Sequence, residues 1–542
     1  MEQQVYETER LDHLGIVAGI CNEVGLIEQI DTCVGSTARK VSVGEAVQAM
    51  VLNALGFVGR PLYLTPEFFE HKPVDLLIGS HLEAADLNDD SLGRALDRLY
   101  ERGVTEVFAQ VASHSLSSFG IVHQFYHLDT SSFSLSGEYK EEEEDAEVIT
   151  ITHGHSKDHR PDLKQAVLSL ICSYRTRLPV WLEAPSGNQT DTKSFPETIK
   201  AYVAQLKSDE PVYFIADSAL YSRENVQELS EVKWITRVPA TLKAVQVLYQ
   251  SVKPEQMRPA AATGYRVLPL CSTYGDVDQR WVVVFSEAAY RRETARLEKQ
   301  VAQEQEKATR TVQQITGHEF ATVDEAQTRA AELTATWRYH SVTFDLEPVP
   351  HYNHRGRPRK GEKPERVGWR VTGGEIEPDT DAILQKRQTK GKFVLATNEL
   401  DSEALPVDKI LDSYKAQAVS VERGFRFLKD PLFFADSLFL KKPQRIMALL
   451  MVMGLSLLIY ALAEHRLRQQ LAKHDEHIPD QKGQPTQRPT MRRVFQMFEG
   501  IDVLVVTTPI DTQRHVLNLK PVHRKILKLL GPYVQKCYLV DT

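Results

Sequence analysis

Apolar positions change their period several times along this chain, and each change predicts an element. Over residues 1–115 they recur every three to four residues, in LGIVAGICNEVGLIEQI and VGEAVQAMVLNALGF, which predicts a helical domain. SLGRALDRLYERG begins with Ser91 as candidate N-cap and stops at Gly103. Near residue 120 the texture turns aromatic, β-branched and partly alternating. FGIVHQFYHLDTSSFSLSGEY therefore reads as a strand carrying a single acid, Asp129. LKQAVLSLICSYRTRLPVWLEAP reads as two strands joined by a turn at 176–178. A polar loop follows, then a helix with Ser194 as candidate N-cap. PVYFIADSALYS supplies a buried strand, 212–216, ending in Asp217, then another helix, and VKWITRVP a fifth strand. Strands and helices in this order predict a mixed α/β sheet over 120–244.

Residues 245–390 break that rhythm with strand-like pieces, a long charged helix over 288–315, a second helix over 324–337 and the basic turn HRGRPRKGEKPER. This predicts an inserted α+β domain, because buried-strand texture resumes at 393–396. An amphipathic helix over 410–429 follows, closing a segment 391–470. On it Glu422, Phe425, Arg426 and Lys429 stand at i, i+3, i+4 and i+7, on or beside one face. The run 446–463 is apolar throughout and has the minimum length of a bilayer span. It equally fits the buried central helix of a large domain, the reading adopted because Arg445 and Glu464 bracket it closely. Residues 471–542 form a basic C-terminal region in which VHRKILKLLGPYV predicts a short amphipathic helix.

Composition narrows the classes. With 65 Lys and Arg against 73 Asp and Glu, the net charge of −8 excludes a uniformly basic nucleic-acid binder. Local patches remain, and phosphates need only those. Residues 441–542 carry 16 basic against 8 acidic side chains, while 141–147 is an acidic tract suited to a solvated loop. Five scattered cysteines without CxxC spacing suit a reducing compartment and supply neither a disulfide framework nor a zinc site. The charged N-terminus lacks the apolar core of a signal peptide. No P-loop, GxGxxG or GxSxG pattern appears, which leaves nucleotide hydrolysis and serine chemistry unsupported.

Three acids stand out by position. Asp129 lies on a predicted strand, Asp217 ends another, and Glu422 sits on the helix after the sheet resumes. Carboxylates from two strands and a helix suit a pair of Mg²⁺ ions, which prefer oxygen ligands and clamp the attacking and leaving oxygens of a phosphoryl transfer. Each also has a plainer reading. Strand-end aspartates cap helices, and Glu422 with Arg426 has the spacing of a surface ion pair. The loop HGHSKDH (153–159) fits a metal site or a phosphate-facing loop.

HLDTSSFS, SKDHRPDLKQ, GNQTD, FIADSALYS and the final Tyr…Glu…Lys helix resemble DDE transposases of bacterial insertion sequences, most closely insertion-sequence family 1634 of superfamily 4. Residues 1–115 resemble the helical domain of unknown function numbered 4277 that precedes such cores, a DNA-binding or dimerisation module. The resemblance implies an RNase H-like core interrupted by an insertion domain, and makes Asp129, Asp217 and Glu422 the catalytic, metal-binding triad. It implies two Mg²⁺ ions (Mn²⁺ substituting), cleavage and strand transfer at terminal inverted repeats, target DNA as second partner, a homodimer in the synaptic complex, and no membrane. It places the protein in the bacterial cytoplasm, at the nucleoid when bound to DNA. Lys429 keeps the family's six-residue gap from Glu422. Tyr414 stands eight residues before Glu422 rather than seven, and Gln417 stands where the family has Arg. Tyr414 and Lys429 become DNA contacts by resemblance, Arg426 by spacing alone, and Lys157, His159 and Arg160 as a loop facing phosphates. A catalytically inactive, DNA-binding descendant is the alternative.

Overall fold

The computed structural model describes all residues except 1–4, 36–38, 59–60, 136–148, 155, 158–159, 190, 207–210, 431–439, 441, 510 and 541–542. The acidic tract 141–147 and His159 thus lie outside the described residues. The chain forms two compact units. The first comprises Met1–Thr236, Tyr274–Val277 and Leu411–Thr542, and the second Arg237–Thr273 and Asp278–Ile410.

Strand β1 (Val5–Arg10) opens the first unit. Its sheet is built from β2 (Phe125–Leu135), β3 (Lys164–Ser173), β4 (Pro179–Glu183), β5 (Tyr213–Ala216) and β6 (Lys233–Arg237), ordered β4-β3-β2-β5-β6. The three leading strands run antiparallel, and β5 and β6 run parallel to β2. An antiparallel meander whose first strand is then extended by two parallel strands, β5 beside β2 and β6 beside β5, is the RNase H-like arrangement. β2 and β3 are buried nearly throughout, as strands covered on both faces must be. On one face Tyr126, Trp181 and Phe214 pack around Tyr202 of helix Asp191–Val203. The other face, with Phe133 and Leu135, joins a core shared with helices Gln417–Leu428 and Pro443–Lys473.

The 446–463 run lies inside that second helix, and 89% of its most apolar window is buried within the unit. Its apolar residues face protein on all sides, so it is the central core helix. Helices Leu14–Glu23, Val43–Leu55 and Asp89–Arg102 pack on it, and the last is capped by Asn88, not Ser91, with Asn88 Oδ1 accepting from the Ser91 amide at 3.0 Å. Helix Asp191–Val203 likewise starts before Ser194 and so carries Pro196 inside it. Proline has no N–H to give the carbonyl four residues back. Asn225 Nδ2 fills that place, donating to the Thr192 carbonyl at 2.8 Å.

His13, beside the first helix, is buried between Phe495, stacked at 4.3 Å, and the Leu55 carbonyl, to which Nε2 donates at 2.8 Å. Nδ1 has no partner, and burial lowers the pKa to about 4. A neutral buried ring adds stability that is present above its unfolded pKa, near 6.5, and lost as pH falls toward 4. That loss amounts to roughly 2 kcal/mol at pH 5. Unfolding titrations of His13→Phe at pH 7 and pH 5 should show a pH dependence smaller by that amount; an unchanged dependence refutes the assignment.

The second unit contains strands Tyr265–Tyr274 and Val277–Ser286, with Lys392–Thr397 antiparallel to the latter. Helices Glu287–Ile315 and Val323–Thr334 and a long two-stranded ribbon, His340–His351 against Arg366–Pro378, complete it.

Candidate active site

Strand pairing positions the first two acids. In the parallel ladder of β2 and β5, His127 lies opposite Ile215. Asp129 stands two residues beyond that pair within β2, and Asp217 two residues beyond it, one past the end of β5. Asp217 keeps extended backbone and its Oδ1 accepts from the Ala219 amide at 2.9 Å, capping the short helix Ser218–Leu220. The capping role foreseen for a strand-end aspartate is thus present. Asp129 Oδ1 accepts from the Thr130 amide at 2.8 Å, and the Lys157 ammonium stands 3.7 Å from it.

The face that carries Asp129 is roofed by the segment 411–429. His127 Nε2 donates to the Ser413 carbonyl at 2.9 Å, and burial, opposed by this bond, lowers its pKa to about 4. The Tyr174 hydroxyl donates to Asp412. The foreseen helix over 410–429 is in fact two, Val407–Lys415 and Gln417–Leu428, broken at Ala416. Tyr414 lies in the last turn of the first; Glu422 and Arg426 belong to the second, which Lys429 caps at its C-terminus. Glu422 and Arg426 are exposed while Phe425 and Leu428 are buried. The Lys429 ammonium lies 5.5 Å from the ring centre of Phe133, which shares the strand face of Asp129. No Glu422–Arg426 ion pair forms among the described residues. Among those residues, too, no three His, Cys, Asp or Glu side chains converge closely enough to hold an ion. Asp129 and Asp217 each stand two residues past the His127–Ile215 pair, and Glu422 stands on helix Gln417–Leu428.

The loop before β3 sends Lys157, whose ammonium donates to the Thr130 carbonyl at 2.8 Å and hydroxyl at 2.7 Å. Arg160 is exposed and clamped by Asp162, Nη2 to Oδ2 at 2.7 Å, which lowers the Asp162 pKa.

Two family models match the chain. Residues 6–113 match a domain of unknown function (DUF4277), and residues 144–459, more than half of the chain, match the transposase DDE domain. The chain belongs to the DDE transposases. Asp217 and Glu422 fall within the matched span and Asp129 lies 15 residues before its start. No curated protein matches. Among solved structures, the chain is similar to a cryo-EM structure of the piggyBac transposase synaptic complex with hairpin DNA. That likeness has 8% identity and a TM-score of 0.36, covering 91% of this chain and 82% of the other. It is too distant to bear on individual residues.

The transposase also has a cleft that the sequence did not disclose. Its volume is about 860 Å³, and Arg175, Arg177, Arg468 and Arg488 line it together with Glu464 and Asp412. Glu464 accepts from the Met491 amide at 3.2 Å and pairs with Arg468 at 2.7 Å and Arg177 at 3.8 Å. Burial, then the neighbouring Arg423 guanidinium, pulls Arg177 below the usual arginine value, and Glu464 pulls it back. Arg177 Nη1 has no hydrogen-bond partner. Arg175 and Arg177 both hold positive φ, 69° and 62°, in the β3–β4 turn, a conformation that costs a non-glycine residue on the order of 1 kcal/mol. Tyr174 links this cleft to the acids, since its ring packs edge-on to His127 at 5.9 Å. The signal available in sequence was the abrupt change at Glu464-His465-Arg466-Leu467-Arg468, charges at the end of an apolar helix.

The motifs SKDHRPDLKQ and GNQTD meet at a backbone crossing. Gln165 Nε2 donates to the Gly187 carbonyl at 2.6 Å, and the Gly187 amide donates to the Thr150 carbonyl at 3.0 Å. A Cβ on Gly187 would fall 2.1 Å from the Gln165 carbonyl oxygen, so no side chain fits. The crossing anchors the segment that delivers Lys157. Gly187→Val should lower thermal stability by roughly 3 kcal/mol. Limited proteolysis should then cut within 149–163 first; a protected segment would count against the anchoring role.

Proposed function

We propose that this transposase cleaves and joins DNA at the ends of an insertion sequence, with Asp129, Asp217 and Glu422 as its catalytic acids. The observation that carries the reading is the placement of Asp129 and Asp217, each two residues past the last paired residues of neighbouring parallel strands, in a chain of the DDE family. Their oxygen-only donor set suits a hard divalent cation. Two Mg²⁺ ions, for which Mn²⁺ can substitute, would supply an activated water and charge stabilisation at the scissile phosphate. Asp129 and Asp217 would hold them, and the helix Gln417–Leu428 would bring Glu422 to complete one site. Thr130 and Ala219 amides hold one oxygen of each aspartate in place. The Lys157 ammonium offsets the charge of Asp129 until a cation takes that role.

Around the acids, Lys429 and Arg426 would grip phosphates, Tyr414 would steady the strand, and Lys157, His159 and Arg160 would line the incoming DNA. The arginine cleft extends that track. With two carboxylates, Glu464 and Asp412, among four guanidiniums it keeps an excess of positive charge that suits an anion, and a phosphodiester has the right geometry. Terminal inverted repeats and target DNA are the partners, a homodimer would bring two ends together, and residues 1–115 would bind DNA or dimerise. The protein would work at the bacterial nucleoid.

The test is a labelled duplex carrying the inverted repeat that flanks the protein's own reading frame. Nicking at the repeat boundary with Mg²⁺ and none with a chelator is expected. Binding without nicking in either Mg²⁺ or Mn²⁺ would establish the catalytically inactive alternative instead.

A further inference from the structure

The ribbon His340–His351 and Arg366–Pro378 is paired from His340↔Pro378 to His351↔Arg366, which makes it roughly 40 Å long. Most of its positions are exposed or half-buried, so it is not a core element. Residues 352–365 at its tip carry five basic side chains against two acidic ones in a chain of net charge −8. The centre of the tip is Arg355-Gly356-Arg357-Pro358-Arg359-Lys360, exposed throughout.

We propose that this tip is a minor-groove reader for A·T-rich duplex DNA. The minor groove, about 6 Å wide, is too narrow for a helix or a ribbon and admits a single extended chain. Such a chain needs a backbone without bulk at its centre and a cation on either side. Gly356 supplies the first. Its φ of 120° is one that side-chain-bearing residues rarely adopt, yet no protein atom lies within 4 Å of where a Cβ would be. The glycine therefore leaves an open approach to the backbone instead of relieving a clash within the protein. Arg355 and Arg357 flank it, and Pro358 stiffens the chain without adding an N–H.

The loop's one inner carboxylate does not neutralise these arginines. Glu362 accepts from His354 Nε2 at 2.8 Å and from the Arg359 amide at 2.8 Å, which pins the base of the loop. Among the described residues the side chains of Arg355, Arg357, Arg359 and Lys360 make no hydrogen bond or ion pair. Guanidiniums held outward on a loop tied from beneath are ready for an external acceptor. A·T tracts provide it, since their narrow groove concentrates negative potential, whereas the guanine amino group of G·C pairs fills the groove floor. Arg359 and Lys360 would then take flanking phosphates.

This inference shares with the proposed function only the choice of duplex DNA as partner. The experiment uses the full chain without divalent cations and three short duplexes bearing an A·T tract, a G·C tract or an inosine·cytosine tract. Inosine lacks the minor-groove amino group but keeps the major-groove edge of guanine. The A·T and inosine duplexes should bind alike and about tenfold more tightly than the G·C duplex. Arg355→Lys/Arg357→Lys, which keeps the charge, should bring all three to the G·C level while leaving Mg²⁺-dependent nicking of terminal DNA intact. Equal affinity for the three duplexes, inosine behaving like guanine, or a preference that survives the double substitution each overturns the proposal. A chain that prefers A·T but never nicks would sink the catalytic reading and leave this one standing.

Discussion

Asp129→Asn and Asp217→Asn will each lower Mg²⁺-dependent DNA cleavage by on the order of 10³-fold or more if, as proposed, each removes a charged ligand from a metal centre that works by charge stabilisation. Glu422→Gln will do the same. Binding to the terminal duplex should stay within about threefold of wild type in all three, since phosphate contacts carry that affinity. Both aspartate changes are isosteric and keep the local hydrogen bonds. The carboxamide oxygen that replaces Asp129 Oδ1 can still accept from the Thr130 amide, and the one that replaces Asp217 Oδ1 from the Ala219 amide, 2.8 and 2.9 Å in the parent. Circular dichroism and melting curves should therefore be superimposable. Cleavage that persists in any one variant removes that residue from the metal centre.

Glu464→Gln should destabilise the protein by about 3 kcal/mol, the cost of removing one partner from a buried ion pair. Glu464 is only 8% exposed and holds Arg468 and Arg177 together, with Arg423 and Arg488 adding positive charge nearby. Without its carboxylate the guanidiniums repel one another at low dielectric. Sulfate or short duplex DNA should then restore more stability to the variant than to wild type, because each supplies the missing anion. Melting temperatures measured with and without about 50 mM sulfate, a concentration chosen to exceed a weak anion Kd, decide it. If sulfate raises both proteins equally, the cleft is not an anion site.

How much of this could be seen in the chain alone depends on whether the deciding contact is local. The strands β2 and β5 were legible because alternation and apolar runs are local properties, and their aspartates were conspicuous as lone acids within them. The break at Ala416 was not. Ala416 and Gln417 are both good helix formers, and the break coincides with distant ties, Tyr174 to Asp412 and His127 to the Ser413 carbonyl. Asn88 displaced Ser91 as cap because several residues in LNDDS can cap and propensity does not choose among them. The early start of helix Asp191–Val203 depended on Asn225, distant in the chain, filling the gap left by Pro196. The arginine cleft was hidden for the same reason, since it is assembled from a turn near 176, a helix end near 466 and a loop near 488.

Strand β1 is completed by a strand at the far end of the chain, Glu7 opposite Val505, and helix Leu14–Glu23 packs on helix Pro532–Cys537, with Tyr538 over Gly15. A ribosome adding roughly 5–20 residues per second needs about half a minute to a minute and a half to reach that partner strand. Throughout that time the first helices carry a bare apolar face. Gene copies truncated upstream of residue 502 consequently yield chains that expose this face permanently and are fit only for degradation. An element littering its host with such fragments would not generate stable N-terminal inhibitors of its own transposition.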